Sequence, residues 1–377
     1  MNSKHVSVII ACALLFSLLL FSFFNINHEN KFSEFYFGVD VAYDDLGKIK
    51  NLVDQVAGYT NMIIIGSTGI TYNQSKLNQT ILYIENQHLS YAVFAAAAAR
   101  LVSINASVAS YNDNFLGVYY ADENGGRQLD LDYRRSVFSA NNYSDAASQF
   151  INSISYRLNG DFYLNTSSSF IVPSSFRLFT SDYALYWFDY KAGYDVVLAQ
   201  LGWNYSRQLN IALCRGAANM QNKDWGVIIT WTYTKPPYLE SGEELFDDLV
   251  LAYENGAKFI LVFDGDENYT QSILGEEHLD AMKKFWEYAK DHPRPADLLN
   301  DRVAFVLPKD YGYGFRGPND KIWGLWGSDK LALTISEDVG ALLVEYGSKL
   351  DIIYDDGLEL DHIFAQYFFW NGTSYSP

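Results

Sequence analysis

The sequence predicts an α/β fold of the (β/α)8 TIM barrel type, on three observations. Short apolar runs alternate with amphipathic helical stretches along most of the 377 residues. Several of these runs leave an acidic or aromatic residue at their downstream end. No glycine-rich fingerprint follows the first run, where Asp44-Asp45-Leu46-Gly47-Lys48 stands, which disfavours the rival doubly wound nucleotide-binding sheet. In a barrel the carboxyl ends of all strands meet at one mouth, so residues remote in sequence share a pocket.

The elements follow in order. Residues 35–42 read as strand one, and 46–58 as a helix with Leu46, Ile49, Leu52, Val53 and Val56 at helical spacing. The apolar run at 61–66 suits a strand covered on both faces. Residues 74–86 form a helix, 89–97 strand three, 101–111 a further helix, and 115–121 strand four, followed by Asp122-Glu123-Asn124-Gly125-Gly126. The long crossover 127–181 holds a helix at 143–158 and a turn-rich piece at 165–175, which implies an inserted lid or rim element. Strand five is expected at 183–188 and a helix at 193–201, while 207–218 is either a helix or a segment beneath the next strand. Strand six falls at 225–231, a helix at 242–255, strand seven at 258–263, a helix at 276–292 and strand eight at 302–307. A helix at 332–346 and a strand-like run at 350–354 make a ninth candidate, where closure needs eight. The reading is therefore a barrel over 35–330 with a C-terminal α/β extension over 331–377.

Ahead of the barrel, a short tail (1–5) and a linker (25–34) flank an N-terminal hydrophobic helix at 6–24. Its length suffices to cross a hydrocarbon core of about 30 Å. The small-residue cleavage pattern is weak around 23–27, which favours a transmembrane signal-anchor over a cleaved signal peptide. Lys4 precedes the stretch, so the body is expected at the membrane facing outside, or secreted after cleavage. Asn-x-Ser/Thr sites at Asn73, Asn78, Asn105, Asn142, Asn165, Asn204, Asn268 and Asn371 suit an extracellular glycoprotein. Cys12 lies in the hydrophobic stretch and leaves Cys214 alone in the body, so no disulfide forms there.

A net charge of −18 with no basic stripe excludes nucleic acid as a partner. It also disfavours polyanions, so the expected partner is a neutral oligosaccharide or polysaccharide, with the membrane a second partner if the N-terminal helix is uncleaved.

Carboxylates are the candidates for chemistry, because glycosidic cleavage needs one protonated and one ionised group. Glu123 directly follows strand four, and repulsion from Asp122 raises its proton affinity, as a general acid requires. The same pair also suits a purely local role, accepting backbone N–H groups of the Gly-Gly turn, or binding sugar hydroxyls. For the second carboxylate Asp264 ranks first, Asp189 second and Glu267 third. Asp40, at the end of strand one, suits sugar hydroxyls. Aromatic rings stack on pyranose faces, and Tyr43, Trp187, Trp231 and Tyr233 fall where strands finish. Core packing explains each ring equally well alone. No His-Glu-x-x-His, nucleophile elbow or phosphate loop occurs, and no cofactor is expected. Asp264, Asp266 and Glu267 are compatible with a structural calcium.

These strand-end carboxylates and aromatics resemble the glycoside hydrolase barrel superfamily over roughly residues 35–307. In its retaining clan the acid/base follows strand four and the nucleophile strand seven, which the resemblance would place at Glu123 and Asp264. The usual Asn-Glu pair is Asp122-Glu123 here, and the usual second glutamate is an aspartate. Three functions are compatible: a hydrolase or transglycosidase, a glycan-binding or surface-structural protein without catalysis, and another barrel chemistry such as lyase or deacetylase action.

Overall fold

The computed structural model describes residues 35–96, 114–159, 177–294, 301–357 and 363–376. The chain divides at residue 36, and residues 37–377 form the unit that carries the site. The tail, hydrophobic stretch and linker at 1–34, and the segments expected at 101–111 and 165–175, lie outside the described residues. Among the described residues no helix is long and apolar enough to cross a membrane.

Eight parallel strands close in chain order: β1 (Tyr36–Val41), β2 (Met62–Ile65), β3 (Ser90–Ala95), β4 (Phe115–Tyr120), β5 (Arg177–Asp182), β6 (Val196–Leu201), β7 (Asp224–Ile229) and β8 (Phe259–Asp264). At the seam, Ala42 N donates to Asp264 O at 3.0 Å. The helices are α1 (Leu46–Val56), α2 (Thr68–Thr71), α3 (Gln74–Asn86), α4 (Asn124–Leu129), α5 (Tyr143–Asn159), α6 (Tyr186–Ala192), α7 (Arg207–Met220), α8 (Gly242–Glu254), α9 (Glu276–Asp291) and α10 (Lys330–Tyr346). The fold is thus a (β/α)8 TIM barrel.

Local chemistry explains the elements. Strands covered on both faces need no polar alternation, and β6 is buried at every position. The Asp45 carboxylate caps α1 by accepting from Lys48 N, and Ser241 and Glu244 form a reciprocal capping box on α8. One irregularity sits at the amino ends of two strands, away from the mouth. Register slips between β3 and β4, where Gly117 takes φ +149° and lies so close to Arg177 O that a Cβ would fall 2.0 Å from it.

Two expectations are corrected between β5 and β7. Residues 183–185 form the turn after β5 and 186–188 begin α6, and 193–201 contain β6 where a helix was expected. The cause is Gly193, which ends α6 at φ +122° instead of opening a helix. The strands near 225–231 and 258–263 are therefore the seventh and eighth, and the run at 302–307 leaves the barrel.

That run is β9 (Val303–Leu307), which joins β10 (Leu350–Tyr354), β11 (Gln366–Phe369) and β12 (Ser374–Tyr375) in a second sheet of order β10-β9-β11-β12. The extension accordingly begins before residue 331. A buried charge network ties it to the barrel: Asp351 pairs with Arg215 of α7 at 2.5 Å and with Arg302 at 3.3 Å. Arg215 also donates to the Ser348 and Leu350 carbonyls, each at 2.8 Å. Ahead of α10, the extension reaches the barrel mouth, where Gln128 of α4 donates to the Trp323 carbonyl at 3.0 Å.

Candidate active site

The carboxyl ends of all eight strands surround a cavity of about 830 Å³. This is the face on which (β/α)8 barrels build active sites. Its wall contains the carboxyl side chains Asp40, Asp44, Asp122 and Glu123.

Glu123 stands on an unusual piece of backbone. Ala121 and Glu123 both adopt left-handed conformations, with φ of 46° and 58°. Such non-glycine residues cost of order 1–3 kcal/mol each and persist only where neighbours enforce them. Here β5 does so. Glu123 N donates to Ser181 O at 2.7 Å, and Thr180 Oγ1 donates to Ala121 O at 3.0 Å. Just downstream, the Asp182 carboxylate accepts Gly125 N and Gly126 N at 2.5 and 2.8 Å. Gly125 has no room for a side chain, since a Cβ would meet Ala184 O at 2.2 Å.

The Glu123 side chain is held from both sides. Gln200 Nε2 donates to Oε1 at 3.1 Å and to Ser181 Oγ at 3.0 Å, and Ser181 Oγ also accepts from the Tyr119 hydroxyl at 2.7 Å. Arg127 lies 3.4 Å from Oε2 and 3.0 Å from Asp122 Oδ1. Burial, and then the charge of Asp122, raises the proton affinity of Glu123, against the pull of Gln200, Arg127 and Arg134. Asp40 is only 3 % exposed, and its Oδ1 has no hydrogen-bond partner. Burial, followed by the charges of Asp122 and Asp264, pushes it well above the usual carboxylate range. The site therefore sets two carboxyl groups of raised proton affinity, Asp40 and Glu123, beside an Asp122 paired with Arg127.

Aromatic rings complete the wall. Phe94, Trp203, Trp231, Phe263 and Tyr269 line the cavity, and Trp231 Nε1 is anchored on Gly265 O at 3.0 Å. The loop after β8 is shaped by Asp266, which accepts from Thr270 N at 2.6 Å and from Thr270 Oγ1 at 2.9 Å. It brings Tyr269 to the carboxyl cluster: desolvation and the charges of Asp122, Glu123 and Asp40 all raise its phenol.

Not every expected residue arrives here. Asp40, Asp122, Glu123 and Trp231 line the cavity, whereas Asp264, Asp189, Tyr43, Trp187, Tyr233 and Glu267 are outside its wall. Asp264 is fully buried and accepts Ser272 Oγ at 2.9 Å and Ile273 N at 2.7 Å, with the Tyr43 hydroxyl against it. It fastens the loop after β8, and the strand it ends is the eighth. Residues after β7, Thr230 and Trp231, offer no carboxylate at the place where the resemblance put a nucleophile.

Asp189 is buried on α6 beside Asp182, and Trp187 packs on Tyr354 with ring centroids 5.3 Å apart. Burial and then the Asp182 charge raise Asp189 well above the usual range, and neither of its carboxyl oxygens has a hydrogen-bond partner. Tyr233 is exposed on the loop after β7, and Glu267 is exposed on the loop after β8. Among the described residues no group of three or more His, Cys, Asp or Glu could hold a metal, and Asp264 and Asp266 instead bind their own loop.

Sequence reasoning passed over Gln200, Ser181, Trp203, Tyr269 and the arginines at 127, 134 and 157. Gln200 was hidden by reading β6 as a helix, although a polar residue near the end of a Val-Val-Leu-Ala run is the same signal that marked Asp40.

Fold and site together define a (β/α)8 barrel with an acidic, aromatic-walled cleft at its strand ends. No protein-family model and no curated protein matches the chain. Similar solved structures include the endo-β-1,4-mannanase of Thermotoga petrophila, 8% identical over 73% of this chain and 82% of that one, with a TM-score of 0.45. A β-glycosidase, BGL167, is 8% identical over 70% of this chain and 99% of its own, with a TM-score of 0.41. A D-psicose 3-epimerase is 10% identical over 68% and 98%, with a TM-score of 0.40.

Proposed function

We propose that the protein is a glycoside hydrolase or transglycosidase in which Glu123 is the acid/base. The observation that carries this reading is a half-buried glutamate of raised proton affinity, fixed at the end of β4 and opening into a cleft walled by aromatic rings. Glu123 gives its proton to the glycosidic oxygen as the bond to the anomeric carbon breaks. Asp122, ion-paired to Arg127, is the carboxylate that stabilises positive charge on the sugar ring. Water, or the hydroxyl of an acceptor sugar, then bonds to the anomeric carbon and returns a proton to Glu123. Asp40 in its neutral form donates a hydrogen bond to a sugar oxygen, and Trp203 and Trp231 supply stacking faces.

The test is turnover of a panel of defined oligosaccharides by the wild type and by Glu123→Gln. A loss of roughly 10²–10⁴-fold with folding intact by circular dichroism supports the assignment. Turnover unchanged in Glu123→Gln removes Glu123 from the mechanism. Tight glycan binding with no turnover by the wild type favours the non-catalytic binding protein instead.

A location outside the cytoplasm is part of the proposal, supported by the hydrophobic stretch at 6–24 and by the sequons. Asn73, Asn142, Asn204, Asn268 and Asn371 are exposed. Removal of N-glycans from protein isolated from its native source is expected to shift its mobility on a gel; an unchanged band contradicts glycosylation.

A further inference from the structure

We propose that the cleft contains a subsite for a carboxylate-bearing sugar, a uronic acid, built from Arg157, Arg134 and Ser136 on the crossover between β4 and β5. The inference rests on the glycan reading above and names the substrate class of the same site.

The chain as a whole is strongly acidic, at −18, yet three arginines stand in the wall of this one cavity. Arg127 is committed to Asp122 and Glu123. Arg157, on the last turn of α5, acts at longer range on the buried Asp189 but is in salt-bridge contact with no described acid. It donates only to neutral acceptors, Asn124 Oδ1 at 3.1 Å and Ser136 Oγ at 3.4 Å, and makes no ion pair with a described residue. Its Nε is buried and without a hydrogen-bond partner. A half-buried guanidinium beside a cleft, with no ion pair to a described residue, is stabilised by an anion that binds it there.

The planar fork of arginine matches a carboxylate in two parallel hydrogen bonds, which distinguishes this site from one that merely attracts charge. Arg134, half exposed at the rim, paired with Asp132 at 3.2 Å and lying over the Tyr133 ring, adds a second cation close enough to act on Glu123. The two arginines therefore lie on the Glu123 side of the cleft, where a sugar bound beside the scissile bond would place its carboxylate. Net negative charge elsewhere slows a polyanion's approach without removing this local attraction.

Calorimetry with Glu123→Gln, which keeps ligands intact, compares oligogalacturonate and oligoglucuronate with their carboxyl-reduced neutral counterparts. The expected result is a preference of roughly ten- to hundredfold for one of the acidic ligands. The preference falls in a second protein carrying Arg157→Ala, is partly restored by Arg157→Lys, and is reduced by Arg134→Gln, which is at the rim and removes no packing from the core. Neutral ligand binding serves as the control for folding of each variant. Equal binding of acidic and neutral ligands, or an acidic preference that survives both substitutions, overturns the subsite while leaving the glycan reading intact. Binding of neither ligand type overturns both.

Discussion

Glu123 and Gln200 meet across the barrel from β4 and β6, and their contact sets how strongly the glutamate holds its proton. The amide stabilises the ionised carboxylate, so Gln200→Leu removes a group that lowers the proton affinity of Glu123. The alkaline limb of the kcat/KM profile, which reports loss of the acid's proton, is expected to move to higher pH in that variant. A limb that stays in place or moves down contradicts the role given to Gln200. At Asp264 the outcome is different, because its carboxylate fastens Ser272 and Ile273 instead of facing the cleft. Asp264→Asn is expected to cost about 1–3 kcal/mol in urea unfolding, and wild-type stability in that variant removes the fastening role. Gly66 is a third test at this scale. A Cβ there lies 2.1 Å from Asp40 Oδ1, so Gly66→Ala displaces the Asp40 carboxyl and is expected to weaken ligand binding and lower stability by about 1–3 kcal/mol. Unaltered binding contradicts a sugar contact by Asp40.

Among the elements, β1 to β4 were legible because each is a short apolar run closed by a turn, and the acidic pair after β4 stood out for the same reason. The run at 183–188 was misleading. Its aromatic residues favour a strand on propensity, yet the backbone N–H groups of Tyr183 and Ala184 turn onto the Asp182 carboxylate, and a helix follows. Nothing local in the sequence announces that carboxylate's partners, which include Gly125 and Gly126 far upstream. Missing β6 shifted the strand count by one, so that Asp264 ends the eighth strand and not the seventh. The crossover at 127–181, read as a lid or a rim element, brings Arg134, Ser136 and Arg157 to the cleft, but its arginines carry no spacing signal. The second sheet belongs to this scale too. Asp351 neutralises two buried arginines, so Asp351→Ala leaves uncompensated charge and is expected to cost about 3–5 kcal/mol in denaturant unfolding. A loss below 1 kcal/mol contradicts the idea that this network joins sheet to barrel.

For the whole molecule, buried acids link stability to pH. Burial and then the neighbouring Asp248 push Glu240 up to about 8, and burial raises the Asp182–Asp189 pair. These groups keep protons in the folded chain that the unfolded chain releases near about pH 4. The stability they provide is complete below that value and is lost as pH rises through the raised values of the folded state. Thermal melts are expected to show a lower Tm at pH 9 than at pH 6; a Tm that holds or increases over that interval contradicts the assignment. The barrel also accounts for why distant residues converge: Asp40, Glu123, Gln200 and Trp231 are separated by long helices in sequence but stand at the ends of strands that close on one another.

The most direct measurement is a crystal structure of Glu123→Gln with an intact oligosaccharide bound. The account predicts a glycosidic oxygen within hydrogen-bonding distance of the substituted side chain at 123, with sugar rings against Trp203 or Trp231. A glycan seated elsewhere on the molecule, or with its linkage out of reach of position 123, contradicts it.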